Sequence, residues 1–136
     1  MQVAHSNILA VIIMSLVYMG LGGLWYSKSL FGKAWSSCCG MDKEETEYAP
    51  TTKCYISCLI TAFITAYVLG YFINMTQAVT TSEGIQVALL AWLGFIATTM
   101  YCGVTWGKKP LSVYFIDAGF MFVIFVIWGV VFANWH

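Results

Sequence analysis

Asp117 is the one charged residue inside the last long apolar stretch, since no other Asp, Glu, Lys or Arg follows Pro110. In a membrane-spanning helix it would lie about five residues, or roughly 8 Å, below the membrane interface. An acid at that depth is costly without a partner, so Asp117 marks a candidate proton or cation site. The alternative, which the sequence favours, is a hydrogen-bonded or lysine-paired acid that fixes the register of its helix.

Three polar residues are candidate partners for this carboxylate. Thr98 and Thr99 lie in the preceding apolar stretch at a similar expected depth, and Lys33 lies in a short amphipathic segment beside the membrane. The candidate polar site therefore consists of Asp117, Lys33, Thr98 and Thr99.

The other reactive residues do not form a catalytic or metal-binding pattern. His5 and His136 lie near the chain ends, so no Ser–His–acid or Cys–His arrangement is predicted. The cysteines form a vicinal pair, a four-spaced pair and a single residue, whereas zinc ligands are typically separated by two residues. We therefore expect no enzyme activity, no cofactor and no metal.

The composition predicts that membrane-spanning helices position these residues. Of 136 residues, 60% are hydrophobic and 9% charged, whereas soluble domains have about 25% charged residues. A soluble enzyme and a nucleic-acid-binding protein are excluded. Four nearly charge-free stretches each provide the roughly 20 residues that a spanning helix needs. The sequence predicts an all-α fold, an integral membrane four-helix bundle in a single domain (1–136), with spans at about 8–26, 54–75, 85–106 and 112–135.

A short interfacial helix is predicted after the first span, at about residues 29–39. Its apolar residues share one helical face, which is typical of a helix lying in the membrane surface. These residues are Leu30, Phe31, Ala34, Trp35 and Cys38.

Small residues recur at helical spacing within the spans. Because helices in lipid associate mainly through close backbone contact, such stripes predict where helices pack. The sequence leaves open whether the stripes face the protomer's own helices or a second copy. The predicted packing positions are Ala62, Ala66, Gly70, Gly94 and Gly103.

The lysines predict the orientation of the chain. All six lie between the first two spans or between the last two, and there is no arginine. Because cytoplasmic loops are enriched in Lys and Arg, both lysine-bearing loops are expected in the cytoplasm and both termini on the other side. The sequence does not identify the membrane.

The chain also resembles a widespread family of small four-span membrane proteins. Residues 7–11, 22–27 and 30–35 are similar to its N-terminal signature, and residues 92–99 and 116–120 to its third- and fourth-span signatures. The family is catalogued as a domain of unknown function, so the resemblance implies a fold and no activity. It also implies that Asn is commoner at position 117, which argues against an obligatory proton carrier. Its signatures mark Trp25, Tyr26, Phe31, Gly32, Lys33 and Trp35 as positions to test.

Two functional hypotheses follow from the sequence. The first is a structural or accessory subunit that packs against membrane lipids and against itself or other membrane proteins, with no nucleic-acid partner. The second is an oligomeric transporter or channel for a small solute or ion, with a polar site near Asp117. A transporter requires a polar cavity that reaches Asp117, whereas an accessory subunit does not.

Overall fold

The structure is a computed structural model that describes residues 7–27 and 52–135. Four helical stretches in it are long and apolar enough to cross a membrane, so the predicted all-α, four-span fold is confirmed. The predicted interfacial helix and the candidate residues Phe31, Gly32, Lys33 and Trp35 lie outside the described residues.

The first two spans are single α-helices, α1 (Ile8–Trp25) and α2 (Thr52–Met75). The third span is composite, because a π-helical segment (Trp92–Ala97) separates two α-helices. The last span is one α-helix. We name the three later α-helices α3 (Thr81–Ala91), α4 (Thr98–Thr105) and α5 (Leu111–Asn134).

The third span begins four residues earlier than predicted because of a capping box. The Thr80 hydroxyl accepts a hydrogen bond from the Glu83 N–H (3.2 Å), and the Glu83 carboxylate accepts one from the Thr80 N–H (3.2 Å). These bonds satisfy backbone donors that a helix start leaves without partners. Glu83, which the charge pattern places in a connecting loop, is therefore part of the first helical turn.

The most buried helix is α5, which packs against α1, α2 and the third span. Its Trp128 is fully buried, and the indole N–H of Trp128 donates a hydrogen bond to the Met14 carbonyl of α1 (3.2 Å). This bond satisfies the polar edge of an otherwise apolar side chain inside the bundle. The core around it is formed by Val11, Ala66, Leu69, Ile73, Ala88, Ile124, Phe125 and Phe132.

The closest helix contact joins α3 and α5 through two glycines. A Cβ built on Gly84 would lie 2.2 Å from the Gly129 carbonyl oxygen, and one on Gly129 would lie 2.6 Å from the Gly84 oxygen. The buried Ala88 and Ala133 follow four residues after these glycines. Each helix thus presents two small residues at a four-residue spacing, which allows the backbones to touch.

The five predicted packing positions differ in their surroundings. Ala62, Ala66 and Gly70 are buried on α2. A Cβ on Gly94 would meet no described atom within 4 Å, whereas one on Gly103 would lie 3.6 Å from the Lys109 side chain. Gly94 therefore lies away from any helix contact among the described residues.

We expect Gly84→Ala to destabilise the protein by about 1–3 kcal/mol, because the added methyl group overlaps the backbone of α5. The thermal unfolding midpoint of the detergent-solubilised protein should fall measurably. Gly20→Ala is the control, since its Cβ would meet no described atom within 4 Å. Equal midpoints for the two variants would contradict the backbone contact.

Candidate functional site

The Asp117 side chain is hydrogen-bonded to the end of α1. The Tyr26 hydroxyl donates to Asp117 Oδ1 at 2.5 Å, and both residues are half-buried. Asp117 lies six residues into α5, about 9 Å from the start of the helix. An acid buried in a membrane requires a polar partner, and for Asp117 that partner is Tyr26. Tyr26 is also one of the positions marked by the family resemblance.

Two tryptophans bond to the backbone on either side of Asp117. The Trp25 indole N–H donates to the Ile116 carbonyl (3.1 Å), and the Trp92 indole N–H donates to the Ala118 carbonyl (3.0 Å). The donors come from α1 and from the third span, so two different spans contact the same turn of α5. These directional contacts fix the rotation of α5 and therefore the direction in which Asp117 points.

A polar cleft of about 180 Å³ opens between α4 and the first half of α5, and Asp117 lines it. Thr99 and Gly103 contribute from α4, and Tyr114 contributes from α5. The remaining lining residues are Met100, Val104, Lys109 and Val113. The structure thus places two members of the predicted polar site, Asp117 and Thr99, at one cleft.

Lys109 is the described lysine at this cleft, and the predicted Lys33 lies outside the described residues. Lys108 adopts a left-handed backbone conformation (φ 55°), and the Lys109 N–H then donates to the Gly103 carbonyl (3.2 Å). This turn ends α4 and folds the Lys109 side chain over Gly103. The only sequence signal for it is the Lys–Lys–Pro run that closes the third span.

Thr98 and Thr99 hydrogen-bond to the π-helical segment rather than to Asp117. The Thr98 hydroxyl donates to the Gly94 carbonyl (2.7 Å). The Thr99 hydroxyl donates to the carbonyls of Phe95 (2.5 Å) and Ile96 (3.2 Å). Of the two threonines, only Thr99 lines the cleft that Asp117 also lines.

The π-helical segment is stabilised by side-chain hydroxyls along its length. Besides the two threonines, the Tyr114 hydroxyl of α5 donates to the Ala97 carbonyl (2.9 Å). Four consecutive carbonyls, 94 to 97, therefore each accept a hydrogen bond from a side chain. A π-helical turn departs from the usual α-helical bonding, and in lipid its polar groups must find partners inside the protein. Neither this segment nor the bond of Tyr114 to it was expected from the sequence.

Metal chemistry finds no support in the described part of the chain. No group of three or more His, Cys, Asp or Glu residues in residues 7–27 and 52–135 is arranged to hold a metal ion. Cys58 and Cys102 are free thiols. The polar side chains that line the cleft are a carboxylate, a lysine and two hydroxyl groups.

A family model described as "Protein of unknown function (DUF1761)" matches residues 9–133. The match covers nearly the whole sequence, so the chain belongs to this family, as the resemblance in the sequence indicates. No curated protein and no solved structure matches the chain. The family assignment supports the four-span membrane fold and leaves the activity to be argued from the site.

We expect Tyr114→Phe to destabilise the protein by about 1–2 kcal/mol, because it leaves the Ala97 carbonyl without its side-chain donor. The thermal unfolding midpoint should fall, and backbone amides of α4 should exchange hydrogen faster. Tyr101→Phe is the matched control, because its ring packs edge-on against the Tyr114 ring at 5.5 Å without bonding to Ala97. If both variants behaved alike, the hydroxyl of Tyr114 would have no special role in the π-helical segment.

Proposed function

We propose that this protein is a membrane carrier or channel that binds a small charged solute in the cleft at Asp117. The observation that supports this proposal is the position of the Asp117 carboxylate. It lies within a span, accepts a hydrogen bond from Tyr26, and lines a cleft with Thr99 and Lys109. A polar cavity that reaches Asp117 is the feature that separates a transporter from an accessory subunit.

The cleft weighs against a purely structural role for the acid. A structural carboxylate needs a hydrogen-bond donor, which Tyr26 supplies, but it does not need an open volume beside it. Here an open volume lies beside the acid, lined also by Gly103 and Lys109. Desolvated carboxylates in membrane spans commonly mark ion or substrate pathways.

An accessory role remains the second candidate, supported by the surface of the third span. This span is the least buried of the four, and Leu90, Leu93 and Phe95 are more than half exposed. These side chains would contact lipid, a second copy or another membrane protein. Purification in mild detergent followed by identification of bound chains tests this role, and an accessory subunit should tolerate Asp117→Asn.

We expect Asp117→Asn to reduce solute uptake at least tenfold, because the cleft loses the only carboxylate among its lining residues. Purified protein in liposomes is tested with radiolabelled methylammonium, acetate and β-alanine. Circular dichroism and gel filtration show whether each variant is folded before its uptake is compared.

The threonine pair provides the matched control for this experiment. Thr99→Val changes both the cleft lining and a backbone contact, whereas Thr98→Val changes only a backbone contact. Uptake should fall for Thr99→Val and stay near wild type for Thr98→Val. Failure of the wild-type protein to transport any probe, or full uptake by Asp117→Asn, would rule out the proposed function.

A further inference from the structure

Two opposite charges line the cleft without pairing with each other. Asp117 lies on α5 within the span, and Lys109 lies in the turn before that helix. No direct ion pair joins the two side chains, although both are among the described residues. The lining of the cleft therefore includes one acidic and one basic residue.

The backbone at Lys109 is held by the turn that ends α4. Lys108 adopts the left-handed conformation that commonly terminates a helix. The following N–H group is anchored to the Gly103 carbonyl at 3.2 Å. Lys108 has the same charge one residue earlier, but it does not line the cleft.

From this arrangement we infer that the solute is a small zwitterion, whose ammonium group binds Asp117 and whose carboxylate group binds Lys109. This inference rests on the proposed function and names its substrate class. A simple cation would neutralise Asp117 and make no use of Lys109. A simple anion would bind Lys109 but would face the carboxylate of Asp117.

The size and remaining polarity of the cleft agree with such a solute. The cleft, of about 180 Å³, has room for several water molecules and therefore for a small solute such as β-alanine. The Thr99 hydroxyl donates its proton to the backbone, so its oxygen lone pairs are left to accept a hydrogen bond from an ammonium group.

Binding to the purified full-length protein in detergent tests this inference. The probes are β-alanine, methylammonium and acetate, each measured by isothermal titration calorimetry against wild type, Lys109→Met, Lys108→Met and Asp117→Asn. β-Alanine should bind at least tenfold more tightly than either single-charge probe. Lys109→Met should remove that advantage, because the charge-assisted hydrogen bonds to the solute carboxylate are lost, and it should not weaken methylammonium binding, because a positive charge is removed from the same cleft.

Comparing the Lys108 and Lys109 variants shows whether the effect depends on position 109 or only on the loss of a lysine charge. Lys108→Met should bind β-alanine like wild type, whereas Asp117→Asn should lose both β-alanine and methylammonium. Methylammonium binding as tightly as β-alanine, or equal effects of the two lysine variants, would overturn the zwitterion assignment while the proposed function stands. Absence of binding by all probes would instead contradict the proposed function itself.

Discussion

Polar groups inside a bilayer must find hydrogen-bond partners within the protein, because lipid offers none. In this bundle that requirement determines how the helices face one another. The indole groups of Trp25, Trp92 and Trp128 each donate to a carbonyl of a neighbouring span. Because an indole N–H is directional, each bond fixes the relative rotation of two helices as well as their distance. Two of the three acceptors flank Asp117, so the turn of α5 that carries the acid is held from two sides.

The two ends of the third span, α3 and α4, pack against α5 in different ways. At Gly84 and Gly129 the backbones are in contact and leave no room for a side chain. Between these points and α4, the π-helical segment interrupts the regular helix. Near α4 the small residue is Gly103, which lies next to the Lys109 side chain and lines the cleft. Glycine therefore permits close packing at one end of the span and an open polar volume at the other.

Much of the architecture could be predicted because a bilayer simplifies the relation between sequence and fold. Charge-free length alone predicts four spans, and all four are present. The π-helical segment was not predictable, since its residues are as apolar as those of any other span and the hydroxyls that bond to its carbonyls, those of Thr98, Thr99 and Tyr114, lie outside it. Lys109 was missed for a similar reason: its direction depends on a left-handed residue at position 108, and lysine is not a residue type that indicates this conformation. The sequence identified Asp117 through charge, but only tertiary contacts link it to Tyr26.

The structural role of Asp117 is compatible with the functional role that we propose for it. Its bond to Tyr26 ties the end of α1 to α5, and the same side chain lines the cleft beside α4. An amide at this position could still accept the Tyr26 hydrogen bond, so Asn preserves the helix contact while removing the charge. Asn, which the family resemblance implies as the commoner residue here, would keep this helix contact without the charge. The negative charge at position 117 is then a property of this chain, and Lys109 lines the same cleft.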